Sequence, residues 1–87
     1  MTLTVQARVR TVLKSAAGLS TDIDQLADDA DLYAAGLTSH ATVNLMLALE
    51  DAFNIELPDR LLRRKTFSSV SAIVEALAEA GVGEPAS

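Results

Sequence analysis

The sequence predicts an all-α protein: a small four-helix bundle with a long first loop and a short third helix. Two observations carry that prediction. Apolar residues recur at spacings of three and four in three separate stretches, and nothing reads as a strand. Glycine, proline and small polar residues stand where those stretches begin and end. A chain of 87 residues is one small domain. We read 1–87 as a single domain, ordered over about residues 4–80 and followed by a loose tail at 81–87.

The first helix is expected over Thr4 to Ala17. Val5, Val9, Val12, Leu13 and Ala16 form its apolar stripe, and Gly18 stops it. Residues 18–38 then lack any long period. Ile23, Leu26, Leu32, Tyr33 and Leu37 are spread among aspartates there, which predicts an ordered loop pinned by its own apolar side chains, with a helical turn near Ile23–Leu26. The second helix is expected over Ser39 to Asn54. At ~100° per residue, Thr42, Leu45, Met46, Leu49, Ala52 and Phe53 share a core face. His40, Asn44, Leu47 and Asp51 share the opposite face, so Leu47 is an apolar side chain placed in solvent. Pro58 closes the segment, and Asp59 is the expected cap of a short helix Arg60–Lys65. The last helix is expected over Ser69 to Ala80, with Ser68 as its cap and Val70, Ile73, Val74 and Leu77 inward.

Composition narrows the function. The net charge is −5, which repels phosphate backbones, and aromatic residues are only 3%, too few for a base-stacking platform. Nucleic acid is therefore excluded as a partner. There is no cysteine, hence no disulfide, thiolate metal site or cysteine nucleophile from the chain. The first residues lack the pattern of a signal peptide, and no window reaches the ~20 apolar residues of a membrane span. A soluble, cytoplasmic protein, monomeric when free, is expected. Charge is segregated: residues 15–59 hold nine acidic and no Lys or Arg side chains, whereas residues 60–65 hold four basic ones. The loop and second helix thus form an acidic half that carries Leu47, a surface suited to docking a basic partner. The basic cluster Arg60–Lys65 either balances that half or contacts a partner.

No catalytic set is visible. Ser39 and the single His40 are neighbours on a helix and do not face each other. No spacing suggests a metal site. Ser39 follows Gly36-Leu37-Thr38 at the mouth of the second helix. On local pattern, Thr38 or Ser39 is a helix cap. A helix N-terminus also suits a phosphodiester carried on Ser39, because free N–H groups and the dipole favour an anion there.

The stretch Asp31-Leu32-Tyr33-Ala34-Ala35-Gly36-Leu37-Thr38-Ser39-His40, with Leu45, Leu49-Glu50-Asp51, Phe53, Ile55, Leu57-Pro58 and Asp59, resembles the acyl and peptidyl carrier proteins. The resemblance spans roughly residues 4–80. It implies an acyl carrier protein-like fold, no enzymatic activity, and 4′-phosphopantetheine from coenzyme A attached to Ser39 by a phosphopantetheinyl transferase. A thioester needs a thiol, and in a chain without cysteine the prosthetic arm would supply it.

Two features depart from the common pattern. Thr38-Ser39-His40 stands where Asp-Ser-Leu is usual, and Asn44 stands where an acidic residue is common. With Leu47-Ala48-Leu49-Glu50-Asp51-Ala52-Phe53 and Arg60-Leu61-Leu62-Arg63-Arg64, the site is similar to a narrower group. These are the bacterial aminoacyl carrier proteins, loaded by amino acid:carrier protein ligases that are truncated homologues of seryl-tRNA synthetases. The resemblance implies a small amino acid as cargo and a docking surface formed by Thr38, His40, Asn44, Leu47, Glu50 and Asp51. The alternatives are a carrier of fatty-acid, polyketide or nonribosomal peptide synthesis, or an unmodified helical interaction module.

Overall fold

A computed structural model describes residues 4–19 and 22–82. Among them are three α-helices, α1 (Val5–Ala16), α2 (Ser39–Phe53) and α3 (Val70–Glu79), with short 3-10 turns between them and no strand. α1 packs against both α2 and α3. Val9, Leu13, Leu45, Leu49, Val70, Ile73 and Leu77 form the centre of the core at 0–1% exposure. The core face expected for α2 is narrower than the periodicity suggests. Ala52 is exposed, and Thr42, Met46 and Phe53 are only half-buried.

Each α-helix begins on a hydroxyl side chain that accepts a backbone N–H: Thr4 from Ala7, Thr38 from Ala41 and Ser69 from Ala72. The expected cap Ser68 is displaced by one residue; its Oγ donates to the Lys65 carbonyl at 2.7 Å. α2 ends on Asn54 in the left-handed region (φ 52°), where the Ile55 N–H reaches back to the Glu50 carbonyl. At the end of α3, Gly81 (φ 103°) lets the Val82 N–H bond the Leu77 carbonyl at 2.9 Å. Gly81 and Val82 are therefore a built helix end rather than the start of the expected loose tail; the remainder of that tail, 83–87, lies outside the described residues.

The long loop is part of the core. Ile23, Leu32 and Leu37 are buried, and a 3-10 turn covers Ile23–Gln25. Two backbone bonds tie the loop to the start of α3, Leu32 N–H to Ser68 carbonyl and Ser71 N–H to Asp28 carbonyl, each 2.8 Å. Arg10 of α1 holds it from the other side, donating to the Ile23 carbonyl and to the Asp28 carboxylate. The loop so fixed sets where α2 begins.

The expected short helix Arg60–Lys65 does not form. Two 3-10 turns, Asp59–Leu61 and Arg64–Phe67, replace it, and Leu62 and Arg63 leave helical geometry between them. Asp59 lies inside the first turn, and no side chain caps it. Packing supplies the reason. In one continuous α-helix Leu61 and Phe67 would point about 120° apart. The break lets Leu61, Thr66 and Phe67 all bury.

Candidate functional site

Ser39 is the first residue of α2 and is exposed. Thr38 performs the capping: its Oγ1 accepts the Ala41 N–H at 3.0 Å, and its carbonyl accepts the Thr42 N–H and hydroxyl. The choice between Thr38 and Ser39 that the sequence leaves open is settled in favour of Thr38 as the cap. The Ser39 hydroxyl has no hydrogen bond among the described residues and is left for other chemistry. Thr38 owes its place to the loop. Gly36 adopts φ 116°, which L side chains rarely adopt, and Leu37 anchors in the core directly before the cap.

Beside Ser39 lies a cleft of about 380 Å³. Thr42, Val43 and Met46 of α2 form one wall, and Leu62, Arg63, Arg64 and Phe67 form the other. Tyr33 closes one end; its hydroxyl donates to the Arg64 carbonyl at 2.8 Å, and the Arg64 guanidinium lies 3.8 Å from the centre of its ring. The loop, α2 and the segment before α3 thus meet at the serine.

The residues assigned to the site divide into three groups. Ser39 alone among them lines the cleft. Thr38 and His40 flank it in sequence and are exposed; Asn44, Leu47 and Asp51 are exposed further along α2, with Leu47 at 54%. Glu50 differs. It is half-buried, and its carboxylate accepts the Leu57 N–H at 2.8 Å, closing the turn after α2. That bond gives Glu50 a structural task which the sequence reading missed, because seven residues separate the partners.

Val43, 53% exposed, was also missed. It completes the row Ser39, Val43, Leu47, Asp51 at steps of four, the row that runs along one helix face. That spacing was the available signal. The acidic half is smaller than charge segregation implies: Arg10 pairs with Asp28 and Lys14 with Asp24, both at 2.6 Å. Asp22 and Asp31 bond backbone N–H groups in the loop. The carboxylates of Asp29, Asp51, Glu56 and Asp59 have no hydrogen bond or ion pair among the described residues. Among those residues, too, no cluster of His, Asp or Glu is placed to hold a metal ion, and no helix is long and apolar enough to cross a membrane.

Comparison with known proteins agrees with this geometry. Residues 7–77 match the family described as the phosphopantetheine attachment site. The aminoacyl carrier protein of Agrobacterium fabrum (strain C58) is 54% identical over 69 residues, which cover 79% of this chain and 83% of that protein. Two crystal structures of an engineered Bradyrhizobium japonicum glycine:[carrier protein] ligase with a carrier protein from Agrobacterium tumefaciens contain similar chains. In the AMP complex the match has a TM-score of 0.81 and 51% identity, covering 84% of this chain and 97% of the other. In the ATP complex the values are 0.84, 49%, 86% and 97%. A solution structure from Agrobacterium tumefaciens matches with a TM-score of 0.69 and 50% identity, over 85% of this chain and 89% of that one.

The residues present fit the prosthetic group of that family. An exposed serine hydroxyl, free of capping, stands at a helix N-terminus, where a phosphodiester is favoured, beside a cleft with apolar walls. By sequence, by fold and by the family model, the chain belongs to the phosphopantetheine-bearing carrier proteins and, among them, to the aminoacyl carrier proteins.

Proposed function

We propose that Ser39 carries the 4′-phosphopantetheine and that the chain accepts a small amino acid from an amino acid:carrier protein ligase. The observation that carries this reading is the division of labour at the start of α2. Thr38 satisfies the helix end, so the exposed Ser39 hydroxyl can be esterified without loss of the cap. In the attachment step a phosphopantetheinyl transferase joins Ser39 Oγ to the pantetheine-linked phosphorus of coenzyme A. The pyrophosphate P–O bond breaks, the adenosine bisphosphate leaves, and the serine proton passes to the transferase or to water. The group then supplies the thiol that this chain lacks. In this reading the chain catalyses nothing; it attaches, displays and is recognised, and residues 1–87 act as one carrier domain.

The ligase would read the exposed face of α2 next to Ser39: Thr38, His40, Asn44, Leu47 and Asp51, with Val43 added by its place in the row. Glu50 acts on that surface indirectly, by fixing the turn after α2. Glycine is the first cargo to test, because the structurally similar carrier chains are found with an engineered glycine:[carrier protein] ligase. The test is intact mass in two stages. The protein is treated with coenzyme A and a promiscuous phosphopantetheinyl transferase, then with such a ligase, glycine and ATP. Two successive increments, pantetheinyl and then glycyl, support the proposal. No first increment would favour an unmodified interaction module, and a first increment without a second would point to another cargo.

A further inference from the structure

The cleft beside Ser39 combines apolar walls with unpaired cations. Val43 and Leu62 are large apolar side chains left 53% and 41% exposed, and both line it, with Met46 and Phe67 beneath. Exposed apolar side chains gathered at a concavity favour an occupant. The cleft volume of about 380 Å³ falls within the ~300–1,000 Å³ of small-molecule pockets. Arg63 and Arg64 are both exposed, and neither has a carboxylate partner among the described residues; Arg64 instead lies over the Tyr33 ring. No acidic side chain lines the cleft. Asp29 and Asp31 lie beyond Tyr33 and Arg64, in the neighbouring depression.

We infer that this cleft receives the pantetheine arm when it ends in a neutral group, and that Arg63 and Arg64 exclude it once it ends in the ammonium of an amino acid. The inference rests on Ser39 as the point of attachment. Tethering makes the arm the natural occupant, since Ser39 itself lines the cleft and the local concentration of a group on a short tether is high. The neutral arm covers Val43 and Leu62 and gains by that burial. An aminoacyl thioester places a positive charge in the same space, among two guanidinium groups and no carboxylate. The single negative charge of the phosphodiester offsets only part of the two guanidinium charges, so a net repulsion remains, screened by solvent at these exposed side chains. Loading therefore moves the arm from a docked to a free state, which presents the amino acid to the next enzyme. Arg63 and Arg64 are specificity-determining residues for cargo charge.

The test uses three forms of the full chain, made with the transferase from coenzyme A analogues. One arm ends in the free thiol, one in a glycyl amide that stands in for the thioester, and one in an N-acetylglycyl amide. The phosphodiester is common to all three, so its charge cancels from the comparison. Intact mass is read first. Absence of the increment on Ser39 overturns the attachment reading and this inference with it.

With the arm present, methyl chemical shifts of Val43, Met46 and Leu62 report docking. We expect the thiol and N-acetylglycyl forms to shift these signals from their apo positions, and the glycyl form to show a docked population several-fold lower. In Arg63→Gln/Arg64→Gln the glycyl form should regain the shifts. Because Arg64 also stacks on Tyr33, Arg63→Gln alone provides a second variant, with partial recovery expected. Equal shifts for the glycyl and N-acetylglycyl forms would overturn the inference. So would an arm on Ser39 that moves none of the three signals, or glycyl spectra unchanged by both variants.

Discussion

Ser39, Thr38 and Glu50 show how adjacent or similar residues take different tasks. The N-cap bond belongs to Thr38, so Thr38→Ala should lower stability by ~1 kcal/mol, whereas Ser39→Ala should change it by no more than about 0.5 kcal/mol. Thermal melts of the two variants check this ordering; an equal loss would mean that Ser39 shares the capping. Glu50→Ala leaves the half-buried Leu57 N–H without its acceptor and should cost ~1–2 kcal/mol, unlike Asp51→Ala at an exposed carboxylate. Urea midpoints of these two variants make the comparison, and equal midpoints would remove Glu50's structural task. From sequence, Glu50 and Asp51 form a single acidic pair. Helical geometry points them about 100° apart, and only the returning chain at Leu57 determines which of them is occupied.

α2 is the element on which recognition rests. Leu47→Asp and Asp51→Lys should slow loading by the ligase at least several-fold, with melting temperatures changed by a few degrees at most, since both side chains are exposed and neither makes a bond within the described chain. Loading rates with the holo forms of both variants are the measurement; wild-type rates in both would place docking elsewhere. α1, α2 and α3 were legible in the sequence to within one or two residues, because their stripes of three and four are long and their caps are hydroxyl residues. The segment Arg60–Lys65 was not. Its conformation is set by Leu61 and Phe67 both reaching the core, a demand that exists only once α1 and α3 are in place. The cleft was illegible for a related reason: its walls, Val43 and Met46 on one side and Leu62 to Phe67 on the other, come together only through that tertiary fold.

The whole molecule is a thin body of 32 × 31 × 20 Å in which the long loop counts as core. Leu32 in that loop is as buried as Leu49 in α2, both at 0% exposure. Leu32→Ala should therefore cost ~2–5 kcal/mol, a large part of the stability of so small a domain. Denaturant unfolding checks this, and a loss below about 1 kcal/mol would mean that the loop is dispensable to the fold. The loop matters because it holds Gly36, Leu37 and Thr38 in the geometry that leaves Ser39 exposed and uncommitted. The most direct test of that arrangement is the intact mass of the wild type, Thr38→Ala and Ser39→Ala after treatment with coenzyme A and a promiscuous phosphopantetheinyl transferase. The account predicts one phosphopantetheinyl increment on the wild type and on Thr38→Ala, and none on Ser39→Ala. An increment on Ser39→Ala, or its absence from the folded wild type, would contradict it.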